Sequence, residues 1–458
     1  MASSTAVLRK TLCAEGLVRI VRDAFGAIPD RRRQGSVRFS LPDTLMAALA
    51  MFQFKSPSLL HFDEHTRGAE SETLVANLRR LYRLAAVPSD TQMRAILDAV
   101  PFSAVRPALR AVHSAAQRGR ILEDFKLEPF GDRLLLAIDG TGLFSSTAVR
   151  CPQCGVKKRS KGTVEYYHQL LAAVMLSPDV STVLPVDFEP IIASDGQAKD
   201  CSERNAAKRL VRSIAAQYPK RRFLVLEDSL SANGPHITVL LEHAMDFIIV
   251  AKESVLERLY SVYDARQRES GGGEVVEFER TDERGVIRGV RFANDLPLNA
   301  AHESLRVNLL EFWEVTPATK RKEEKTSTWA WITSLEIDEG NALEIARAGR
   351  TRWGVENQTF NCLKNQGYHL EHSYGHGKEH LSSTLAGLML LSFLFDQVQE
   401  HACAVFQAAR RVTRRKDELW SSMRTYLRDV AIESWEVLFG TIGRLGPRLR
   451  IGDVPDTG

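Results

Sequence analysis

Two short apolar runs that each end in an acid constrain this chain more than any other feature. Residues 133–139 read RLLLAID and residues 222–228 read RFLVLED. Runs of this length without polar alternation suit strands buried on both faces of a covered sheet. Each terminal carboxylate, Asp139 and Asp228, marks the point where a strand ends and emerges at the sheet edge. Residues 167–176 (YHQLLAAVML) and 182–188 (TVLPVDF) add two strands around an SPDVS turn, so three strands in succession imply an antiparallel meander. A helix over 203–217, the RFLVLED strand, a helix over 235–243 and the strand DFIIVAK at 246–252 complete a βββαβαβ order. In a mixed sheet of that order the two acid-ending strands are neighbours and open onto one crevice.

The flanks follow other periods. Residues 1–125 look all-helical, with Leu17, Ile20, Val21, Ala24 and Phe25 at helical spacing, a resumed helix at 41–54, and two more at 72–84 and 91–100 with Ser89 or Asp90 as N-cap. That last pair fits a helix-turn-helix as well as plain helical packing. Between 253 and 340 the segments EVVEFER, GVIRGVRF, SLRVNLLEFWEV and STWAWITSLEI alternate with a period near two, which predicts an antiparallel β insertion. Beyond it lies a helix from Asn341 toward Gly367, then helices to about Phe439 and a tail. The expected division is a helical region over 1–125, a first core segment over 126–252, the insertion over 253–340, a second core segment over 341–400 and a helical end over 401–458.

A net charge of +4, from 61 basic and 57 acidic residues, permits a nucleic-acid partner without requiring one. Basic clusters such as Arg31-Arg32-Arg33, Lys157-Lys158-Arg159 and Lys320-Arg321-Lys322 each read singly as a solvated face. The most apolar run, LAGLMLLSFLF at 385–395, is too short for a bilayer and reads as a buried helix, so no membrane is expected. Six scattered cysteines and a polar start predict reduced thiols and a cytoplasmic site of action.

On the helix after Asn341, Arg352 and Glu356 stand four apart and share a face; alone they read as a surface ion pair worth a few tenths of a kcal/mol. Taken with Asp139 and Asp228, Glu356 becomes the third of three carboxylates. Such a set repels itself unless cations sit between its members, and the chemistry it suits is phosphoryl transfer with two Mg²⁺ ions roughly 3.5–4 Å apart.

At these residues the chain resembles a bacterial insertion-sequence transposase of the DDE type. AIDGTG around Asp139, LEDS around Asp228 and RTRWGVENQTFNCLKNQGYHLEHSYGHG around Glu356 carry the resemblance. It implies an α/β fold, a ribonuclease H-like mixed sheet core interrupted by an antiparallel β insertion, with helical N-terminal and C-terminal regions. It also implies two Mg²⁺ or Mn²⁺ ions on Asp139, Asp228 and Glu356, cleavage by water at transposon inverted-repeat ends, and attack of the freed 3′-hydroxyl on target DNA by a homodimer in complex with DNA. The rivals are a repurposed, inactive DNA-binding protein and a stand-alone metal-dependent nuclease of the same fold.

This sequence departs from the family's tyrosine-arginine-glutamate-lysine signature in two places. Gly349 stands where the tyrosine belongs, leaving Tyr368 or Tyr374 to replace it, and Lys364 lies one residue beyond the lysine slot, which Leu363 fills. Arg352 and Lys364 are the expected DNA-phosphate contacts. Separately, Cys151-Pro-Gln-Cys154 before a glycine is half of a zinc knuckle, and His168 and Cys201 are the candidates to complete a structural zinc site. Trp313, Trp329 and Trp331 are read either as packing for the insertion or as stacking partners for an unpaired base. His369, His372 and His376 are read as loop or DNA-contact residues rather than metal ligands.

Overall fold

The computed structural model describes residues 9–445 apart from 34, 36, 69–70, 160–161, 193–194, 196–198, 269–273 and 319–322. The Lys320-Arg321-Lys322 cluster and the C-terminal tail lie outside the described residues. Its frame is one sheet of ten strands: β1 Leu134–Ser146, β2 Gly155–Lys158, β3 Val164–Ser177, β4 Val180–Ile191, β5 Phe223–Glu227, β6 Asp246–Val250, β7 Val276–Thr281, β8 Ile287–Pro297, β9 Arg306–Thr316 and β10 Lys325–Thr333. The order is β2-β3-β1-β5-β6-β10-β9-β8-β7, with β4 also on β3. β1, β5 and β6 run parallel and the other pairings are antiparallel. This is the expected ribonuclease H-like mixed sheet, with β1, β3, β4, β5 and β6 where the apolar runs predict them.

The alternating insertion segments form the meander β7–β10. It extends the core sheet itself, because Trp331, Ile332 and Thr333 of β10 pair with Val250, Ile249 and Ile248 of β6. Ahead of the meander lies a helix, Glu257–Arg268, that the sequence reading passed over; it buries only Leu259 and Tyr263, too little to set a strong helical period.

Helices cover the sheet. The N-terminal ones, Leu41–Gln53, Asp90–Asp98 and Arg106–Arg118, pack with β4 around Leu381–Ala402, a 22-residue helix buried from Leu381 to Gln399. By length and composition that helix is apolar enough to cross a membrane, but its apolar span is wholly inside the fold. Its start is fixed by Asp98, whose carboxylate accepts from the backbone N–H groups of Lys378, Glu379, His380 and Leu381. A carboxylate there satisfies orphan donors and meets the positive end of the helix dipole. The second helix of the candidate helix-turn-helix pair, Asp90–Asp98, thus ends against the start of the long helix and buries only Met93 and Leu97. Deeper in, Lys55 Nζ meets Asp396 Oδ2 at 2.6 Å, both nearly inaccessible, and the Tyr368 hydroxyl donates to the same oxygen.

Three local expectations are corrected. β1 does not end at Asp139 but runs on to Ser146, because β3 continues to pair with it, Asp139 opposite Ala172. The Glu356 segment is not one helix: it runs Ala342–Thr351, breaks at Arg352 and Trp353, and re-forms as a π-helical turn over Val355–Phe360. The break lies beside Gly354, a weak helix former, and at the contact of Arg352 with Asp139, a partner 213 residues away that local propensity does not show. Finally, Cys13 and Cys403 form a disulfide across 390 residues, so the expectation that every thiol is reduced fails for this pair, whose partners only the packed fold brings together.

Candidate active site

The register of two parallel strands builds the site. β1 and β5 pair from Leu134 with Phe223 to Ala137 with Leu226. Two residues past that last pair, level with each other and on the same side of their strands, stand Asp139 and Asp228. β1 then follows β3 away while the chain leaves β5 through a turn, and the aspartates sit at the opening. The Gly140 N–H donates to Asp139 Oδ1 at 2.8 Å and the Leu230 N–H to Asp228 Oδ1 at 3.0 Å.

Asp139 is mostly buried. Burial is the main force raising its carboxyl from 3.8 to about 6; Glu356 and Asp228 push the same way, against Arg352 and the Gly140 N–H. The three sequence-predicted acids are therefore within electrostatic reach of one another. Arg352 stands between two of them, its Nη1 3.1 Å from Asp139 Oδ2 and 3.9 Å from Glu356 Oε1. The guanidinium is 11% exposed and its Nε is buried with no hydrogen-bond partner, whereas Glu356, at 55%, opens to solvent. Glu356 lies in the π-helical turn, a distortion that is frequent at functional sites.

The sequence reading missed Glu227, Glu203 and His236, which line the same small crevice as both aspartates. Glu227 points to the opposite face from Asp228, buried, and binds His236 Nε2 at 2.6 Å. Glu203 comes from the helix Lys199–Gln217; its Oε1 lies where it would stand 3.2 Å from a Cβ on Gly140. The glycine after Asp139 was the available signal for this approach.

The signature departures resolve unevenly. Gly349 admits the indole of Trp331, since a Cβ at 349 would stand 2.6 Å from Trp331 Cε2. The tyrosine slot is thus filled from β10 by a tryptophan. Tyr368 and Tyr374 do not replace the tyrosine: both are buried, Tyr374 with its hydroxyl donating to the Ser56 and Tyr368 carbonyls. Lys364 forms an ion pair with Glu371 at 2.9 Å.

Between the insertion and the Ala342–Thr351 helix lies a cleft of about 1010 Å³ whose wall includes Arg288, Arg347, Arg350, Arg352, Trp329 and Trp353. Arg350 lies over the Trp329 ring at 4.6 Å, and Trp353 is 54% exposed. Of the three insertion tryptophans, Trp331 is core, and Trp313 donates to Glu279 at 2.9 Å.

Residues 131–394, well over half of the chain, match the transposase DDE domain family. The chain belongs to that family. The match takes in Asp139, Asp228 and Glu356 and spans the β insertion between the latter two. Membership makes the protein a transposase in general terms, a polynucleotidyl transferase of a family that acts on DNA and works with divalent metal ions. No curated protein matches the chain.

Of the proposed zinc ligands, Cys151, Cys154 and His168 come together, joined by His376; the side chain of Cys201 lies outside the described residues.

Proposed function

We propose that this transposase cuts DNA at the inverted-repeat ends of its element and joins the freed ends to target DNA, with Asp139, Asp228 and Glu356 holding two Mg²⁺ or Mn²⁺ ions. The observation that carries the reading is the parallel register that sets the two aspartates side by side, with Arg352 lodged between Asp139 and Glu356. Hard carboxylate oxygens gathered around a cation are a donor set that fits Mg²⁺ or Mn²⁺. When bound, such ions lower the barrier by stabilising charge on the attacking and leaving oxygens.

In the first step a water oxygen bonds to phosphorus as the P–O3′ bond breaks; the departing 3′-oxygen takes up one proton to become the 3′-hydroxyl, and the water's other proton passes to solvent from the new 5′-phosphate. In the second, that 3′-oxygen gives up its proton and bonds to a target phosphorus, and the target's own 3′-oxygen departs and takes up a proton. The chain's part is to position the phosphates. Arg352, a planar fork, exchanges its hold on Asp139 for a backbone phosphate, and Lys364 leaves Glu371 for a second one. The cleft beside Glu356, with Arg288, Arg347, Arg350 and Arg352 in its wall, receives the backbone, and the exposed Trp353 offers a face to bases. Two ends are joined in one event, so the working unit is a homodimer on DNA, with the helical region before residue 126 binding ends or pairing copies, in a bacterial cytoplasm.

Labelled inverted-repeat ends incubated with Mg²⁺ test this. Cuts followed by strand-transfer products are expected. Cuts without joining favour a nuclease, and binding without either favours a repurposed binder. Alanine at Asp139, Asp228 or Glu356 is expected to abolish cutting and preserve DNA binding; unchanged cutting in any one overturns its assignment.

A further inference from the structure

We infer that Cys151, Cys154, His168 and His376 bind one zinc ion, which staples the turn after β1 to the segment that follows the Glu356 helix. The four donor atoms all lie within 4.8 Å of one another. Cys151 Sγ and Cys154 Sγ are 3.7 Å apart; His168 Nε2 is 3.2 Å from the first and 3.3 Å from the second, and His376 Nδ1 is 3.7 Å from Cys154 Sγ. A tetrahedral zinc with Zn–S of about 2.3 Å and Zn–N of about 2.0–2.1 Å calls for a sulfur-to-sulfur edge of about 3.8 Å and sulfur-to-nitrogen edges of about 3.6 Å. The observed sulfur-to-sulfur edge of 3.7 Å lies just under its value, and the sulfur-to-nitrogen edges, 3.2 to 3.7 Å, bracket theirs. They do not suit a disulfide, whose sulfurs stand about 2.05 Å apart.

The surroundings favour a closed site over a chance gathering of weak sulfur donors. Three of the four residues are buried, and all four positions are filled by protein, as in structural rather than catalytic zinc sites. His376 is turned in by glycines on either side, Gly375 at φ +146° and Gly377 at φ +66°. At Gly377 a Cβ would also stand 2.2 Å from the Asp98 carboxylate that caps the long helix, so only glycine fits. Phe144 closes the site, its ring 4.5 Å from that of His376 and 5.4 Å from that of His168. Gln153, inside the Cys151–Cys154 turn, lies 3.3 Å from His380 Nδ1, a second tie between the same two segments.

The ligands come from three places: the turn that ends β1, the strand β3 that pairs beside Asp139, and the chain that leaves the Glu356 helix. One ion thus cross-links the strand carrying Asp139 to the segment anchoring Glu356, a positioning role distinct from the ions proposed for the carboxylates.

Metal analysis of the purified full-length protein should give one zinc per chain, retained in buffer containing Mg²⁺. Exchange with cobalt should give the intense visible bands of a tetrahedral ion and a thiolate-to-cobalt charge-transfer band in the near ultraviolet. H376A should lose the stoichiometric metal or change the visible bands, and C154S should weaken the charge-transfer band. A zinc-selective chelator should lower the melting temperature in Mg²⁺ buffer. A folded, zinc-free wild-type protein, an octahedral cobalt spectrum, or H376A with metal content and spectrum unchanged would each overturn the site; the wild-type spectrum decides even if the variants fail to fold.

Discussion

Asp139→Asn should stabilise the protein in buffer free of divalent ions, even as it abolishes cutting. The folded state holds the Asp139 proton up to about pH 6, whereas an unfolded aspartate releases it near 3.8. The contribution to stability is therefore full below 3.8 and is lost as the pH rises through 6. At roughly 1.4 kcal/mol per pH unit, that interval corresponds to about 3 kcal/mol of destabilisation at pH 8. Asparagine cannot ionise and avoids this loss. Asparagine, like the protonated acid, lacks the ionic hold on Arg352 seen at 3.1 Å, and the value of about 6 already includes the pull of that arginine, so the gain expected at pH 8 is about 3 kcal/mol. The assay is urea denaturation of parent and variant from pH 4 to pH 8 without metal, reading the difference between them so that other titrating groups cancel. The difference should be near zero at pH 4 and grow toward pH 8. Added Mg²⁺ should then stabilise the parent more than the variant. A variant less stable at every pH, or a difference that does not change with pH, would refute the reasoning.

Other perturbations read other parts of the fold. G349A drives a methyl into the Trp331 indole and should cost about 1–3 kcal/mol, visible as a lower melting temperature; an unchanged melting point would mean that the ring has room to move. D396N leaves Lys55 buried without its counter-charge and should cost about 3–5 kcal/mol by chemical denaturation, and a cost below 1 kcal/mol would contradict a buried pair. His113 is fully buried, and burial holds its imidazole down from 6.5 to about 4. Its contribution is present above 6.5 and lost as the pH falls through 4, about 3 kcal/mol in all, so H113Q should flatten the acid limb of the stability profile.

What was legible in the sequence was whatever one segment announces by itself. The runs around Asp139 and Asp228 are buried on both faces and change abruptly to an acid, so strand and crevice follow from seven residues each. The insertion strands declare themselves by alternation, because one sheet face is wetter than the other. What was hidden depends on closure over long distances. Nothing near Cys154 points to His376, 222 residues later, and nothing near Cys13 points to Cys403. Gly349 reads as a missing tyrosine until β10 brings Trp331 against it. The break at Arg352 and Trp353 has a local sign in Gly354, a weak helix former, but its other companion, the contact with Asp139, is 213 residues away.

The π-helical turn that carries Glu356 sets a condition on how this chain can change. A π turn holds one more residue than the α turn it replaces, so deleting a single residue within Val355–Phe360 would leave a sound α-helix in its place. The α turn covers the same rotation with one residue fewer, so Glu356 could keep facing Asp139 and Leu363 the core; what the deletion changes is the seven-residue spacing between them. The spacing between Glu356 and Lys364 can thus shorten by one codon here without turning either end of the helix away from its neighbours.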